Sequence, residues 1–428
     1  MAIKILPSLS FLGGLILLTF SSYLAANENT SHTIARLLIA EIALSRDMPK
    51  IALEHYLKAS QATTDPKIAA YATQLAVRTA DIQTAVRPAT LWAQKAPTDL
   101  EAQMTVIALQ LRLGHISQSL PYLIQMTKIS PEGADQHFMV LYRSLSEERD
   151  KQSVLEALTL LDEQRPNQPF SSIALSDIYL QQQNYSKALY FSKKAIQIAP
   201  DASNAVIIHG ECLRQTSDLP TALTFLESHL EKTPNNPYIR YYLGELYFYH
   251  HELDKAKQQF EQLAQNPQTP PEMLLQLTNL SMQQEWFKLA QNTLQTVEKN
   301  PEYEGSARYF LGRLAEAEKS PEKAIQWYTR VYEGPFQVLS RIRAAILLLE
   351  SQKEPHQALS VLESATPETL GDFKRLSLTR IQILVSMQEY SAALHTANQG
   401  LKLIENDSDL LVARNFIQEK LNNTAIKP

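Results

Sequence analysis

Residues 237–267 read PYIRYYLGELYFYHHELDKAKQQFEQLAQNP, and this stretch decides the fold. Apolar residues recur three and four positions apart up to the polar residues around His251, and the same spacing resumes at Leu253, which is the pattern of two consecutive helices. The small residue Ala256 allows the second helix to approach the first closely. Pro267 ends the second helix because proline cannot continue the hydrogen-bond ladder. The stretch therefore predicts a helical hairpin.

The same unit recurs along the chain. Prolines stand at residues 97, 131, 166, 200, 234, 267, 301, 335 and 367, at intervals of 32 to 35 residues. A second marker precedes them by about twelve residues, and nine of its eleven positions are alanine. These positions are Ala52, Ala85, Ser119, Val154, Ala188, Ala222, Ala256, Ala290, Ala324, Ala358 and Ala393. A fixed period of this length is the sequence signature of a repeat architecture.

The register predicts about eleven hairpins between residues 31 and 406. Hairpins over 31–166 keep the spacing but have lost most of the glycine and tyrosine signals, whereas 167–406 form the more regular array. A further amphipathic helix over 409–421, with Ser408 as its predicted N-cap, begins a terminal segment over 407–428. Such a helix covers the last hydrophobic face, which has no following repeat.

The unit at 237–267 resembles the tetratricopeptide repeat, whose pattern combines an aromatic residue, Leu-Gly, Tyr, Ala, a second aromatic residue and Pro. The matching residues are Leu243, Gly244, Tyr247, Ala256, Phe260 and Pro267. The match departs at Arg240, which stands where the first aromatic residue is expected. The resemblance implies an all-α solenoid, a right-handed superhelix of helical hairpins that binds partners on its concave groove. It leaves no separate stretch for a catalytic domain, so an enzyme is not expected.

The N-terminus has the order of a secretory signal. A charge at Lys4 precedes the mainly apolar segment 5–18, and Ala25-Ala26 precedes a polar stretch. We expect residues 1–26 to be a cleaved signal peptide and the protein to lie in the periplasm or another extracytoplasmic compartment. An uncleaved membrane anchor is the alternative, and it would be the chain's only membrane contact.

Composition narrows the possible functions. The net charge of −5 is too mild for a nucleic-acid-binding surface, so no nucleic-acid partner is expected. The single cysteine, Cys212, rules out an intrachain disulfide. No phosphate-binding or metalloprotease motif occurs, so no cofactor or metal is expected. The adjacent His250 and His251 point about 100° apart on a helix and are interpreted as its polar end.

Partner-binding residues are predicted on the first helices of the hairpins. Tyr238, Tyr241, Phe248 and Tyr249 are not required by the repeat and share one helical face, which predicts a contact surface, with burial by a neighbouring turn as the alternative. Later first helices carry arginines, namely Arg308, Arg313, Arg341, Arg343, Arg375 and Arg380. Tyr309, Arg313 and Arg343 complete the predicted groove set, for an acidic or C-terminal peptide, unless these arginines are simply scattered over the surface.

The N-terminal units are also similar to periplasmic tetratricopeptide adaptors of C-terminal-processing proteases. The similarity lies in AEIALSRDMPKIALEHYLKASQATTDPKIAAYATQLA (40–76), TLWAQKAP (90–97) and DLLVARNFIQEKL (409–421). It implies a non-enzymatic scaffold that presents substrates to such a protease. The chain departs from these lipoproteins in lacking a lipid-attachment cysteine. The alternatives are a structural assembly factor for secretion, pilus or polysaccharide machinery, and a targeting domain of a larger enzyme complex.

Overall fold

The computed structural model describes residues 28–79, 82–131, 133–145 and 147–425. The predicted signal or anchor segment, residues 1–26, lies outside these ranges. Across the described ranges the regular structure is helical, with no β-strand. Residue contacts divide the chain into two compact units, Met1–Thr233 and Pro234–Pro428.

The described part of the first unit contains twelve helices that follow one another as six hairpins. The two helices pack closely in five of these hairpins, and in the fourth they touch over only a few residues. They are α1 (Glu28–Ser45), α2 (Pro49–Ala62), α3 (Pro66–Thr79), α4 (Ile82–Lys95), α5 (Leu100–Arg112), α6 (Ile116–Ile129), α7 (Ala134–Ser144), α8 (Glu148–Gln164), α9 (Phe170–Gln181), α10 (Tyr185–Ile198), α11 (Ser203–Thr216) and α12 (Leu219–Lys232).

Between residues 234 and 425 the second unit contains five hairpins and a C-terminal helix. Its helices are α13 (Pro237–Tyr249), α14 (Leu253–Gln265), α15 (Pro271–Gln283), α16 (Phe287–Val297), α17 (Glu304–Ala317), α18 (Pro321–Thr329), α19 (Gln337–Leu347), α20 (Pro355–Glu363), α21 (Leu370–Ser386), α22 (Tyr390–Leu403) and α23 (Ser408–Ala425). A short π-helical segment, Leu348–Gln352, extends α19.

The predicted all-α solenoid is confirmed, because each unit stacks helical hairpins and the described ranges hold eleven of them plus a C-terminal helix. The boundary predicted at residue 166, between degenerate and regular repeats, stays a prediction.

The burial of the marker alanines explains why they recur once in each repeat. Ala52, Ala188, Ala256, Ala324 and Ala393 are all fully buried, at 0% exposure, where the two helices of a hairpin meet. A larger side chain there would push the helices apart.

The turn between the two helices of a hairpin also repeats. His251 adopts a left-handed backbone with φ of 62°. Its N–H donates to the carbonyl of Phe248 at 3.1 Å, and the N–H of Glu252 donates to the carbonyl of Tyr247 at 2.9 Å, which satisfies the last carbonyls of α13. Equivalent left-handed residues in other hairpins are Asp47, Gln183, Glu285, Lys319, Lys353 and Gln388. The histidine pair is therefore part of the repeated turn.

The last helix covers the final hairpin with Leu410 and Ile417, both fully buried against α21 and α22. Its N-cap differs from the prediction. The carboxylate of Asp407 accepts hydrogen bonds from the backbone N–H groups of Asp409 and Leu410, both at 3.1 Å. Ser408 is therefore not the N-cap, because the longer aspartate side chain one residue earlier reaches the free N–H groups.

Candidate functional site

Helix α13 places the aromatic residues that the sequence singled out. Asn236 caps its start by accepting hydrogen bonds from the backbone N–H groups of Tyr238 and Ile239 at 3.1 and 3.2 Å. The buried side of the helix carries Ile239, Leu243 and other apolar residues. That burial fixes which residues are left on the opposite side of α13.

Three tyrosines form what we call the tyrosine face: Tyr238, Tyr241 and Tyr249. Tyr238 and Tyr249 are exposed, with 49% and 65% of their surfaces accessible, and Tyr241 is half-buried. The ring of Tyr241 lies 6.1 Å from that of Phe260, so one edge of it belongs to the hairpin interior. The tyrosine face therefore offers two exposed rings and one half-buried ring.

The prediction that Phe248 belongs to the same exposed face is wrong. Phe248 is 8% exposed. Its ring packs edge-on against Trp286 of the next hairpin, with 6.4 Å between ring centroids, and against Tyr249 at 5.5 Å. The alternative of burial by a neighbouring element applies to this residue, because Trp286 covers it.

A carboxylate lies within the tyrosine face. Glu245 is half-buried and accepts a hydrogen bond from the hydroxyl of Tyr241. Burial raises the pKa of Glu245 above its usual value, and burial together with the neighbouring carboxylate raises the pKa of the Tyr241 hydroxyl. Glu245 is not among the residues predicted from the sequence to bind a partner. Its spacing of four residues from both Tyr241 and Tyr249 could have indicated that it lies on the same helix face as these tyrosines.

Arg240, at the first aromatic position of the repeat, is a structural residue. Its side chain is 9% exposed, and burial lowers its pKa. The guanidinium donates to the side chains of Gln259, at 2.9 Å, and Gln262, and to the carbonyl of Pro234, at 2.5 Å. It therefore ties α13 to α14 and to the preceding turn, and it is not available to a partner.

A second set of residues connects the first helices α15, α17 and α19, and we call it the arginine ladder: Asn279, Arg313, Glu316 and Arg343. Arg313 is exposed and donates to the side-chain oxygen of Asn279 at 3.3 Å. Its guanidinium also lies 5.7 Å from the ring centroid of Phe310. Because Asn279 is neutral, this contact leaves the charge of Arg313 uncompensated.

Arg343 differs from Arg313 because it has an acidic partner. Both guanidinium nitrogens Nε and Nη2 contact the carboxylate of Glu316, the Nε contact at 3.1 Å. The hydroxyl of the buried Tyr328 also donates to Glu316. The hydrogen bond to Glu316 raises the pKa of Arg343, while burial raises that of Tyr328. Arg343 is therefore largely neutralised within the protein.

Tyr309 is half-buried and serves packing. Its ring stacks on Phe336 with 4.5 Å between centroids and 10° between planes. It also lies 5.8 Å from the ring of Tyr328. Tyr309 supports the helix that carries Arg313, and only part of its surface is open to a partner.

The other arginines of the first helices have contacts inside the unit. Arg308 pairs with Glu298 and Glu304, Arg375 with Asp372, and Arg380 with Glu363. Arg341 is buried and donates to the carbonyl of Tyr328 at 2.9 Å. In the described part of the unit, Arg313 is thus the member of this group that is exposed to solvent and has no acidic partner.

The predicted site residues form two groups rather than one. Tyr238, Tyr241 and Tyr249 lie together on α13, and Tyr309 and Arg313 lie on α17, near Arg343 of α19. Within the described ranges, no hydrogen bond, ion pair or ring contact joins the tyrosine face to the arginine ladder. A ligand that touched both would have to extend past α15.

The described residues offer neither a membrane-spanning helix nor a metal cluster. They contain no helix with the length and apolar character needed to cross a membrane. Nor do these residues hold a cluster of three or more His, Cys, Asp or Glu side chains able to bind a metal ion.

The family model for the tetratricopeptide repeat matches residues 279–337, which span the ladder residues Asn279, Arg313 and Glu316. The chain therefore contains tetratricopeptide repeats. Proteins of this superfamily generally mediate protein–protein interactions and are typically non-catalytic.

Similar known proteins also contain tetratricopeptide repeats. A tetratricopeptide repeat-containing protein of Pseudomonas aeruginosa is 25% identical over 395 residues, which cover 91% of this chain. The chain spans 65% of the length of that relative. Yeast Tom70 is similar with a TM-score of 0.33 and 14% identity, over 93% of this chain and 97% of the Tom70 chain. The C-terminal part of a tetratricopeptide repeat protein of Cytophaga hutchinsonii is similar with a TM-score of 0.41 and 14% identity. That match covers 56% of this chain and 98% of the Cytophaga chain.

Proposed function

We propose that this tetratricopeptide repeat protein is a non-enzymatic adaptor that binds a protein or peptide partner across the first helices of its second unit. One observation carries the proposal. The residues that the repeat itself requires are buried, whereas Tyr238, Tyr249 and Arg313 extend from first helices into solvent. Exposed aromatic rings and an uncompensated guanidinium are the side chains that dominate the binding energy of protein interfaces.

The two groups supply different kinds of contact. Tyr238 and Tyr249 offer large rings that lose little side-chain entropy on binding. Arg313 is held by Asn279 and by the ring of Phe310, so its guanidinium is oriented before a ligand arrives. An oriented guanidinium can bind a carboxylate through two parallel hydrogen bonds. A segment with an acidic group that reaches α17 and an amphipathic residue that reaches α13 would satisfy both groups.

We place this adaptor in the bacterial cell envelope. The basic, apolar and small-residue order of residues 1–26 supports export. The resemblance of residues 40–76, 90–97 and 409–421 to adaptors of C-terminal-processing proteases supports a finer role, the presentation of substrates to such a protease. An assembly factor for secretion, pilus or polysaccharide machinery would use the same surface with a different partner.

Affinity capture from envelope extracts tests the binding role and separates these two partners. The wild-type protein should recover a processing protease or its substrates, while secretion or polysaccharide components would indicate the assembly role. A Tyr249→Ala, Arg313→Ala double variant should lose the captured partner. The matched control replaces two exposed residues of the first unit, Tyr190→Ala and Arg165→Ala, and should capture normally. Equal capture by both double variants would reject this surface as the binding site.

Export is tested separately with an alkaline phosphatase fused to the C-terminus of the full chain, because this enzyme is active only outside the cytoplasm. An active fusion is expected. A fusion that is expressed in full but remains inactive would remove every extracytoplasmic version of the proposal, while the capture result would still decide whether the second unit binds a partner.

A further inference from the structure

Glu245 is a half-buried carboxylate that forms no ion pair within the described residues. Its polar contact is the hydroxyl of Tyr241, and burial raises its pKa. The ion pairs of the second unit in the described residues all involve other carboxylates. The hydroxyl supplies one hydrogen bond to a group that can accept about four. The carboxylate of Glu245 is thus an anion whose compensation inside the unit is incomplete.

Two other carboxylates of the second unit have their negative charge compensated by an arginine. Glu316 is bound by Arg343 as well as by Tyr328. Glu298 lies 3.4 Å from Arg308. Holding a partly buried charge without such a partner costs free energy, and positions of this kind are drawn disproportionately from functional sites.

Two tyrosines flank Glu245 on its side of α13. Tyr241 and Tyr249 stand four residues before and after Glu245, on the same side of α13. The edge-on contact of Tyr249 with Phe248, at 89° between ring planes, holds the Tyr249 ring in place while 65% of the residue stays accessible. The exposed Tyr238 stands seven residues before Glu245, about 10 Å further along the helix axis, so its ring belongs to the far end of the tyrosine face. The face of an aromatic ring attracts cations because its quadrupole is negative there.

We propose that Glu245, with the rings of Tyr241 and Tyr249, binds a cationic side chain of the partner, a lysine or an arginine. The inference rests on the proposed function and specifies its chemistry at one end of the surface. The carboxylate of Glu245 would form an ion pair with the cation of the partner, and the rings would add cation–π contacts. The preference is opposite in sign to that of Arg313, so the two groups bind oppositely charged residues of the partner.

The site can be tested without knowledge of the partner, using N-acetyl-lysine methylamide as the probe. The full chain, labelled with ¹³C in its tyrosine rings, is titrated and followed by NMR. Signals of Tyr241 and Tyr249, assigned through Tyr→Phe variants, should shift with the probe. N-acetyl-norleucine methylamide, which has a similar aliphatic chain and no charge, should leave them in place. Equal shifts with both probes would overturn the inference.

Two variants decide the roles of the charge and the ring. Glu245→Gln keeps the shape of the side chain and should weaken binding of the lysine probe by roughly tenfold, the loss of one charge-assisted contact. Glu261→Gln, at an exposed glutamate of α14, is the matched control and should bind as the wild type does. Probe binding that is unchanged in Glu245→Gln would contradict the proposal.

The ring contribution uses a second pair of variants. Tyr249→Phe retains the aromatic face and should keep most of the probe affinity, whereas Tyr249→Leu should lose it several-fold. This pair remains informative if Glu245→Gln lowers stability, since Tyr249 is exposed. Equal affinity of the two variants would remove the cation–π contact from the site and with it the proposal.

Partner capture separates this inference from the proposed function. If Glu245→Gln captures the partner as well as the wild type does, while the Tyr249, Arg313 double variant does not, the adaptor role stands and the cation site falls. If the double variant captures normally, the proposed surface falls. The lysine titration then still decides whether α13 binds a cation.

Discussion

Gly244 of α13 and Phe260 of α14 approach so closely that a Cβ atom at residue 244 would lie 2.4 Å from Cε1 of the phenylalanine ring. Gly312 and Tyr328 repeat the relationship two hairpins later, at 2.5 Å. Both rings are fully buried, at 0% exposure. The glycine of the repeat is thus required by an aromatic ring sixteen residues later, and not by any bend of the helix.

We expect Gly244→Ala to destabilise the second unit. The new methyl group must displace the Phe260 ring from a packed position, which costs about 1–3 kcal/mol. The higher helix propensity of alanine offsets at most about 1 kcal/mol. Urea unfolding should therefore show a lower midpoint for this variant.

Gly371→Ala is the matched control, because the nearest atom to a Cβ there is Thr369 Oγ1 at 3.6 Å. It should be neutral or stabilising by up to about 1 kcal/mol. Adding Phe260→Leu to Gly244→Ala should recover part of the loss, and strict additivity of the two changes would contradict the contact as the cause.

Much of the fold could be predicted because each repeat buries side chains at the same positions of its sequence pattern. Leu243, Tyr247 and Ala256 are buried as their register required, since a hairpin buries the same positions wherever it stands. Phe248 could not be placed this way, because the residue that covers it, Trp286, belongs to the next hairpin. The register of one hairpin does not say which residue of the next hairpin will cover it.

The candidate site was predictable in part for a related reason. The exposure of Tyr238 and Tyr249 follows from helical periodicity. The pairing of Arg343 with Glu316, 27 residues earlier, depends on how two first helices align, and no local pattern encodes that alignment. Arg313 and Arg343 therefore look equivalent in the sequence, although one charge is open and the other is neutralised.

The left-handed turn residues should be stabilised by glycine. Lys319 has φ of 58°, a conformation that costs a residue with a side chain roughly 1 kcal/mol relative to glycine. Lys319→Gly should raise the free energy of unfolding by about 0.5–1 kcal/mol, after the added flexibility of the unfolded chain is subtracted. Chemical denaturation of the full chain measures the change.

Lys323→Gly, at an exposed position inside α18, is the opposite control. It should lower the stability by about 1 kcal/mol because glycine is unfavourable within a helix. A loss of stability in both variants would mean that the Lys319 backbone is not strained.

His209 should make the stability of the first unit depend on pH. Its Nδ1 lies 2.9 Å from Ser192 Oγ, its ring packs 4.8 Å from that of Phe225, and burial lowers its pKa below the unfolded value of about 6.5. Below pH 6.5 the unfolded chain takes up this proton more readily than the folded one. The stability due to neutral His209 is therefore present above pH 6.5 and is lost as the pH falls toward its folded pKa.

Urea unfolding at pH 7.5 and pH 5.5 measures this dependence. The wild type should lose stability between the two values, and His209→Asn, which cannot titrate, should lose less. An identical loss in both proteins would show that other groups cause it.

Phe248 and Tyr249 are adjacent in sequence, and we expect their truncation to have opposite consequences. Phe248→Ala removes a ring that is 8% exposed and packed on Trp286, so it should cost about 3–5 kcal/mol of stability. Tyr249→Ala removes a ring that is 65% exposed, and the loss of its edge contact with Phe248 should cost about 1 kcal/mol. Thermal unfolding gives the first comparison, and capture of the partner at a temperature where both variants are folded gives the second. Tyr249→Ala should lose the partner while it stays nearly as stable as the wild type. If Tyr249→Ala were as destabilising as Phe248→Ala, Tyr249 would belong to the core, and the tyrosine face would have too few free rings to hold a partner.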